Sequence, residues 1–145
     1  MLDRVDKKLT AALAVSLVLA AGEAWAFHKD VYEPRVPREI LEQVQEMESP
    51  FPATPERTEE GRKIYFGKGL CVTCHGMDGK GAVFPGHAPR DFTDGKWQKL
   101  RTDGELMWVL RNGSPGTGMP VRVGTAITEE EGWNAIQFIR AFAGK

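Results

Sequence analysis

The chain of 145 residues is poor in several things that define protein classes. It has only two cysteines and three histidines, so a closed four-ligand zinc site lacks a second ligand pair at finger spacing. Basic and acidic residues number 19 and 20, a net charge of −1, and such a balance leaves no electrostatic footprint for nucleic acid. Period-two alternation and internal repeats are absent, which argues against sheets and solenoids. Past the N-terminal region no apolar run is long enough to cross a bilayer, where about 20 residues are needed. With 41% hydrophobic residues and scattered charge the chain is not disordered, and its length suggests one domain.

What is present centres on Cys71-Val72-Thr73-Cys74-His75. Two thiols two residues apart, running into an imidazole, have the c-type haem attachment spacing. Each thiol can add across one haem vinyl, the short gap brings both within one helical turn, and the next residue sets its imidazole under the iron. Three other readings compete. A redox dithiol needs a strand and a βαβ setting, and neither is visible. Half a zinc site lacks its partner ligands. A structural disulfide across so short a loop would be strained.

The first 26 residues read as a secretory signal. Arg4, Lys7 and Lys8 precede an uncharged run of 14 residues, Leu9 to Gly22, and Ala24-Trp25-Ala26 is a small-residue cleavage site. An uncleaved anchor is the alternative. Cleavage leaves 119 residues from Phe27, in the periplasm. Export suits covalent haem, which bacteria attach outside the cytoplasmic membrane.

Residues 27–55 look like an extension, punctuated by Pro34, Pro37, Pro50, Pro52 and Pro55. Pro37 can open a short helix with Ile40, Leu41, Val44 and Met47 on one face. That stripe either packs back on its own domain or docks a partner subunit. Residues 56–145 form the haem domain. Thr58 is expected to cap its first helix, ending at Gly67 and Gly69. Met77 to Pro89, rich in glycine and proline, is a wrapping loop, and Arg90 to Trp97 continues as a polar one. Thr102 with Glu105 and Thr128 with Glu131 are capping boxes, Gly113 is a helix stop, and the last helix covers about 129–143. The fold class is all-α: three to four helices around one haem, with an N-terminal extension.

Met119 is the candidate for the other face of the iron. Glycines at 113, 116 and 118 allow close approach to a porphyrin, and Pro120 stiffens the exit. Met77 is too close to His75, Met107 belongs to a helix core, and Met47 lies in the extension. His87 sits in the wrapping loop and His28 in the extension.

These motifs resemble the class I cytochromes c, small monohaem electron-transfer proteins of bacterial periplasms. The resemblance covers Glu56 to Lys145. It rests on Cys71 to Gly76, Asp78-Gly79-Lys80-Gly81, Arg90-Asp91-Phe92-Thr93-Asp94-Gly95, Arg111-Asn112-Gly113 and Gly116-Thr117-Gly118-Met119-Pro120. It implies that the first helix crosses the last, with Gly61 and Tyr65 meeting Trp133, Phe138 and Ile139. It also implies that a proline carbonyl accepts a hydrogen bond from His75; Pro85 is the first choice and Pro89 the second. Arg90, Trp97 and Arg111 are candidate propionate donors. The implied function is electron transfer at one haem c, bound through Cys71 and Cys74 and ligated by His75 and Met119. The chain would be a shuttle between respiratory partners or a dedicated subunit of a periplasmic oxidoreductase held by residues 27–55. A haem peroxidase or gas sensor is the remote alternative.

Overall fold

Short polar residues ahead of apolar runs set most helix starts. The computed structural model describes residues 30–82, 89–143 and 145. Among these there are six α-helices and no strand beyond an isolated bridge between Val123 and Ile127. They are α1 (Leu41–Gln45), α2 (Pro55–Phe66), α3 (Cys71–His75), α4 (Gly95–Leu100), α5 (Asp103–Asn112) and α6 (Glu129–Arg140). A 3-10 turn, Arg38–Ile40, leads into α1. The all-α class is as expected.

Helix α6 stops at Arg140, short of the expected end near 143, and two further stretches differ from expectation. Helix α2 starts one turn early, because Thr54 accepts a hydrogen bond from the Arg57 N–H at 3.2 Å and Pro55 takes the first helical position. Proline is preset for that position and its missing N–H costs nothing there. Thr58 is therefore inside the helix, its hydroxyl donating to the Thr54 carbonyl at 3.0 Å. The second difference is α4, in a stretch read as loop. Asp94 accepts from the N–H groups of Lys96 and Trp97 at 2.9 and 3.1 Å and starts one and a half turns that bury Trp97 and Gln98. The two capping boxes form as expected, and Gly113, at φ +71°, stops α5.

Helix α2 lies across α6. The crossing is possible because Gly61 lacks a side chain: a Cβ there would stand 1.9 Å from the Asn134 carbonyl oxygen. Next to it Tyr65 meets Phe138 edge-on, with ring centroids 5.3 Å apart, and Phe66 meets the same ring at 5.9 Å. Such pairs add about 0.5–1.5 kcal/mol each beyond their burial. The core continues through Phe92, Trp97, Met107, Trp133, Ile136 and Phe142.

The apolar stripe of the extension packs back on the domain. Val31–Lys145 forms a single compact unit. Val36 and Val44 are buried, while Ile40, on the 3-10 turn, stays exposed. Contact with α5 is backbone-close, since a Cβ on Gly104 would lie 2.0 Å from the Val44 carbonyl oxygen. A buried ion pair, Arg101 with Glu105 at 2.6 Å, stands at the same junction. Arg101 also donates to the Tyr32 carbonyl at 2.9 Å, tying the arm to the start of α5. No helix among the described residues is long and apolar enough to cross a membrane.

Candidate functional site

The site begins at a strained leucine. Leu70 caps α3 at φ +53°, a left-handed conformation that costs a branched residue roughly 1–3 kcal/mol. Three contacts hold it there. The Leu70 N–H donates to the Gly67 carbonyl and the Gly69 N–H to the Ile64 carbonyl, both at 2.9 Å. Arg122 clasps the Gly69 carbonyl with two N–H groups at 2.9 and 2.6 Å. This arginine, three residues past Met119, thus ties the methionine loop to the entrance of the cysteine turn. It was not a candidate from sequence, and a lone arginine in a loop carries no signal of such a role.

On α3, Cys71 is half-buried and Cys74 exposed, both as free thiols. Burial pushes the Cys71 thiol up, against a weaker downward pull from Arg122. His75 is buried and stacks on Phe92 at 4.2 Å between centroids, with 18° between planes. Its Nδ1 lies 3.1 Å from the Arg90 carbonyl oxygen. That geometry makes Nδ1–H the donor and leaves Nε2 as the lone-pair nitrogen. Burial lowers the imidazole pKa, partly opposed by the bond to the Arg90 carbonyl, so the ring is neutral and able to ligate at neutral pH.

The acceptor for His75 is a correction to the expected proline. Pro85 lies outside the described residues, as do His28 and His87. Pro89 presents its carbonyl oxygen to Gly81, 2.7 Å from where a Cβ would stand there. The next residue, Arg90, is the one whose carbonyl reaches the ring. Loop 76–82 wraps back on α3: the Gly81 N–H donates to the His75 carbonyl at 2.9 Å and the Ala82 N–H to the Cys74 carbonyl at 2.7 Å. Tyr65 donates its hydroxyl to the Gly76 carbonyl at 2.8 Å, joining α2 to this loop.

Met119 is half-buried against the main core. Its loop is tied to the end of α5. The Ser114 N–H donates to the Met119 carbonyl at 3.0 Å, and Thr117 bridges the Ser114 carbonyl and the Met119 N–H. Gly113 allows this, since a Cβ there would stand 2.8 Å from the Met119 carbonyl oxygen. Of the other methionines, Met77 is 79% exposed and Met107 fully buried in the core.

The three propionate candidates separate. Trp97 is buried in the core beside Phe92. Arg90 is half-buried with its guanidinium 5.6 Å above the Trp97 ring. Arg111 is exposed and already engaged, ion-paired with Glu129 and 3.4 Å from the Met47 sulfur.

These residues fit a haem. A neutral imidazole with a free Nε2 follows two unpaired thiols on one turn, and a thioether sits on a tied loop. The Ser114 hydroxyl is buried without a hydrogen-bond partner among the described residues. No group of three or more His, Cys, Asp or Glu able to hold a bare metal ion occurs among them either.

An imidazole fixed in this way, one residue past two thiols on a single turn, is the arrangement of the class I cytochromes c, and the glycine-mediated crossing of first and last helix belongs to the same fold. The chain is thus a haem-binding electron-transfer protein. The family described as cytochrome C oxidase, cbb3-type, subunit III matches residues 56–139, more than half of the chain, which therefore belongs to that family. The arm lies outside the match. The comparisons with curated proteins and with solved structures gave no match.

Proposed function

We propose that this chain carries one electron at a single haem c, joined to Cys71 and Cys74 and ligated by His75 and Met119, in the periplasm after export. The haem supplies the redox centre, taking up and releasing one electron at its iron. His75 is held in one tautomer and one orientation by the Arg90 carbonyl, and that contact carries the reading. A ring so fixed keeps the same geometry in both oxidation states, which lowers reorganisation when an electron moves. The tied Met119 loop works to the same end, and a soft thioether favours the ferrous form and raises the potential.

A mobile carrier between respiratory partners is the favoured version, because the extension's apolar stripe is used within the domain. A second version, a dedicated subunit of a periplasmic oxidoreductase, draws support from the family match, whose description names an oxidase subunit. Two measurements test the proposal. Ferric protein is expected to show the far-red sulfur–iron band, and Met119→Ala to lose it and to bind carbon monoxide when reduced. A band that survives Met119→Ala removes this methionine as ligand. Sizing the native periplasmic fraction while following haem absorbance separates a free monomer from a subunit.

A further inference from the structure

The Met119 loop is anchored on the end of α5. The Ser114 N–H holds the Met119 carbonyl, and the N–H groups of Arg122 and Val123 both donate to the Leu110 carbonyl, at 2.8 and 3.0 Å. The Arg122 carbonyl accepts in turn from the N–H groups of Thr125, Ala126 and Ile127 at 3.3, 2.9 and 3.1 Å. The backbone of Arg122 is thus fixed on both sides, and its half-buried side chain leaves this anchor for the Gly69 carbonyl. That carbonyl precedes the left-handed Leu70 and lies 3.6 Å from the Cys71 sulfur. Among the described residues, no other hydrogen bond joins residues 113–124 to residues 67–76.

We propose that Arg122 is the positioning residue for Met119: its clasp on Gly69 joins the methionine loop to the turn that carries His75 and keeps the thioether on the iron. The inference rests on the reading of His75 and Met119 as the two ligands. A ligand tethered to its own protein acts through its effective concentration, which falls when the tether loosens. This tether is loose by composition, with glycines at 113, 116 and 118. Its bonds to Leu110 and Ser114 fix the loop to its own helix, and the clasp joins it directly to the cysteine turn. Two N–H groups of a guanidinium on one oxygen make that join charge-assisted, stronger than a bond between neutral groups. Arg122 is three residues from Met119, at most about 10 Å of chain, and Pro120 stiffens the interval. Fixing one therefore limits the travel of the other.

The test uses the full-length holoprotein. Covalent haem and the far-red sulfur–iron band are read first in the wild type; absence of either overturns the two-ligand reading, and the proposal with it, whatever Arg122 does. Imidazole is then titrated against the band in ferric protein. It binds only when Met119 is off the iron, so its apparent dissociation constant varies inversely with the open fraction. Arg122→Met keeps the stem and removes every side-chain donor. It is expected to raise the open fraction about tenfold, the worth of one hydrogen bond from a charged group, so that half the band is lost at about a tenth of the imidazole concentration. Arg122→Lys keeps a charged donor and is expected to recover part of the shift. Arg57→Met removes a guanidinium that ties α2 to Glu130 and Asn134 of α6, both at 3.0 Å, and a shift of less than about twofold is expected. Unchanged imidazole affinity in Arg122→Met, or equal shifts in Arg122→Met and Arg57→Met, overturns the proposal. If Arg122→Met does not accumulate, the wild-type protein decides. Coupling is reciprocal, so displacing Met119 must weaken the clasp. Hydrogen exchange at the Arg122 Nε–H is expected to quicken when imidazole saturates the ferric iron, and an unchanged rate overturns the proposal.

Discussion

The crossing of α2 and α6 makes a sharp prediction about one methyl group. In Gly61→Ala the new Cβ would sit 1.9 Å from the Asn134 carbonyl oxygen and 2.6 Å from its carbon. Both are backbone atoms of a helix, so no side chain can swing away. Ordinary contact begins near 3.4 Å, so the helices must part by about 1.5 Å at their closest point. That separation loosens the Tyr65–Phe138 and Phe66–Phe138 contacts beside it. Overpacking of this kind costs about 1–3 kcal/mol, and a clash with backbone belongs at the upper end. Alanine returns up to about 1 kcal/mol through helix propensity, leaving a net loss of about 2 kcal/mol. For a domain of this size that is a fall in Tm of about 10 °C. Gly95→Ala is the control of opposite sign. It lies at the first position of α4 with nothing within 4 Å of its Cβ, and should gain about 0.4–1 kcal/mol by restricting the unfolded chain. Thermal melts followed by far-UV circular dichroism and haem absorbance measure both. A Gly61→Ala protein that melts at or above wild type would refute the packing argument.

Two further substitutions probe the arm. Gly104→Ala drives a Cβ into the Val44 and Met47 carbonyls and should release α1 from α5, exposing residues 31–52 to limited proteolysis while haem absorbance persists; continued protection counts against this junction. Glu105→Gln breaks a buried pair and leaves Arg101 uncompensated, for a loss of about 3 kcal/mol in denaturant unfolding, whereas a loss below about 1 kcal/mol would mean that the pair is effectively solvated.

The parts of the fold that declared themselves in sequence are those with local causes. Capping boxes at Thr102 and Thr128 satisfy orphan N–H groups within four residues, so the pattern and the structure are nearly the same statement. The cysteine turn and His75 are equally local. Helix α4 escaped because one and a half turns are too short to show a period, although Asp94 was the one available sign. The start of α2 escaped because Thr58 reads as the cap from sequence, whereas Pro55 at the first helical position makes Thr54 the cap. The His75 acceptor escaped for another reason. A carbonyl belongs to every residue, so which one reaches the ring depends on the path of the loop and not on residue type. Arg122 on the Gly69 carbonyl and Arg101 on the Tyr32 carbonyl are long-range contacts of the same kind.

The arm shows how far an apolar stripe can be read. Ile40, Leu41, Val44 and Met47 announce a face to be covered, but a stripe alone does not name its cover. The cover is set by Gly104, the one position on α5 where Val44's backbone can come so close. This changes how a partner for the arm must be sought. Deleting the arm would strip Val36 and Val44 from the domain and take away an acceptor of buried Arg101. Loss of a complex after such a deletion would follow from a damaged domain as readily as from a lost docking element. Gly104→Ala leaves every arm residue in place and frees the stripe. If the chain works as a subunit anchored by its arm, freeing the stripe should preserve or strengthen the association on a sizing column. If the stripe serves its own domain, the same change should weaken the monomer's resistance to protease and leave its size unchanged.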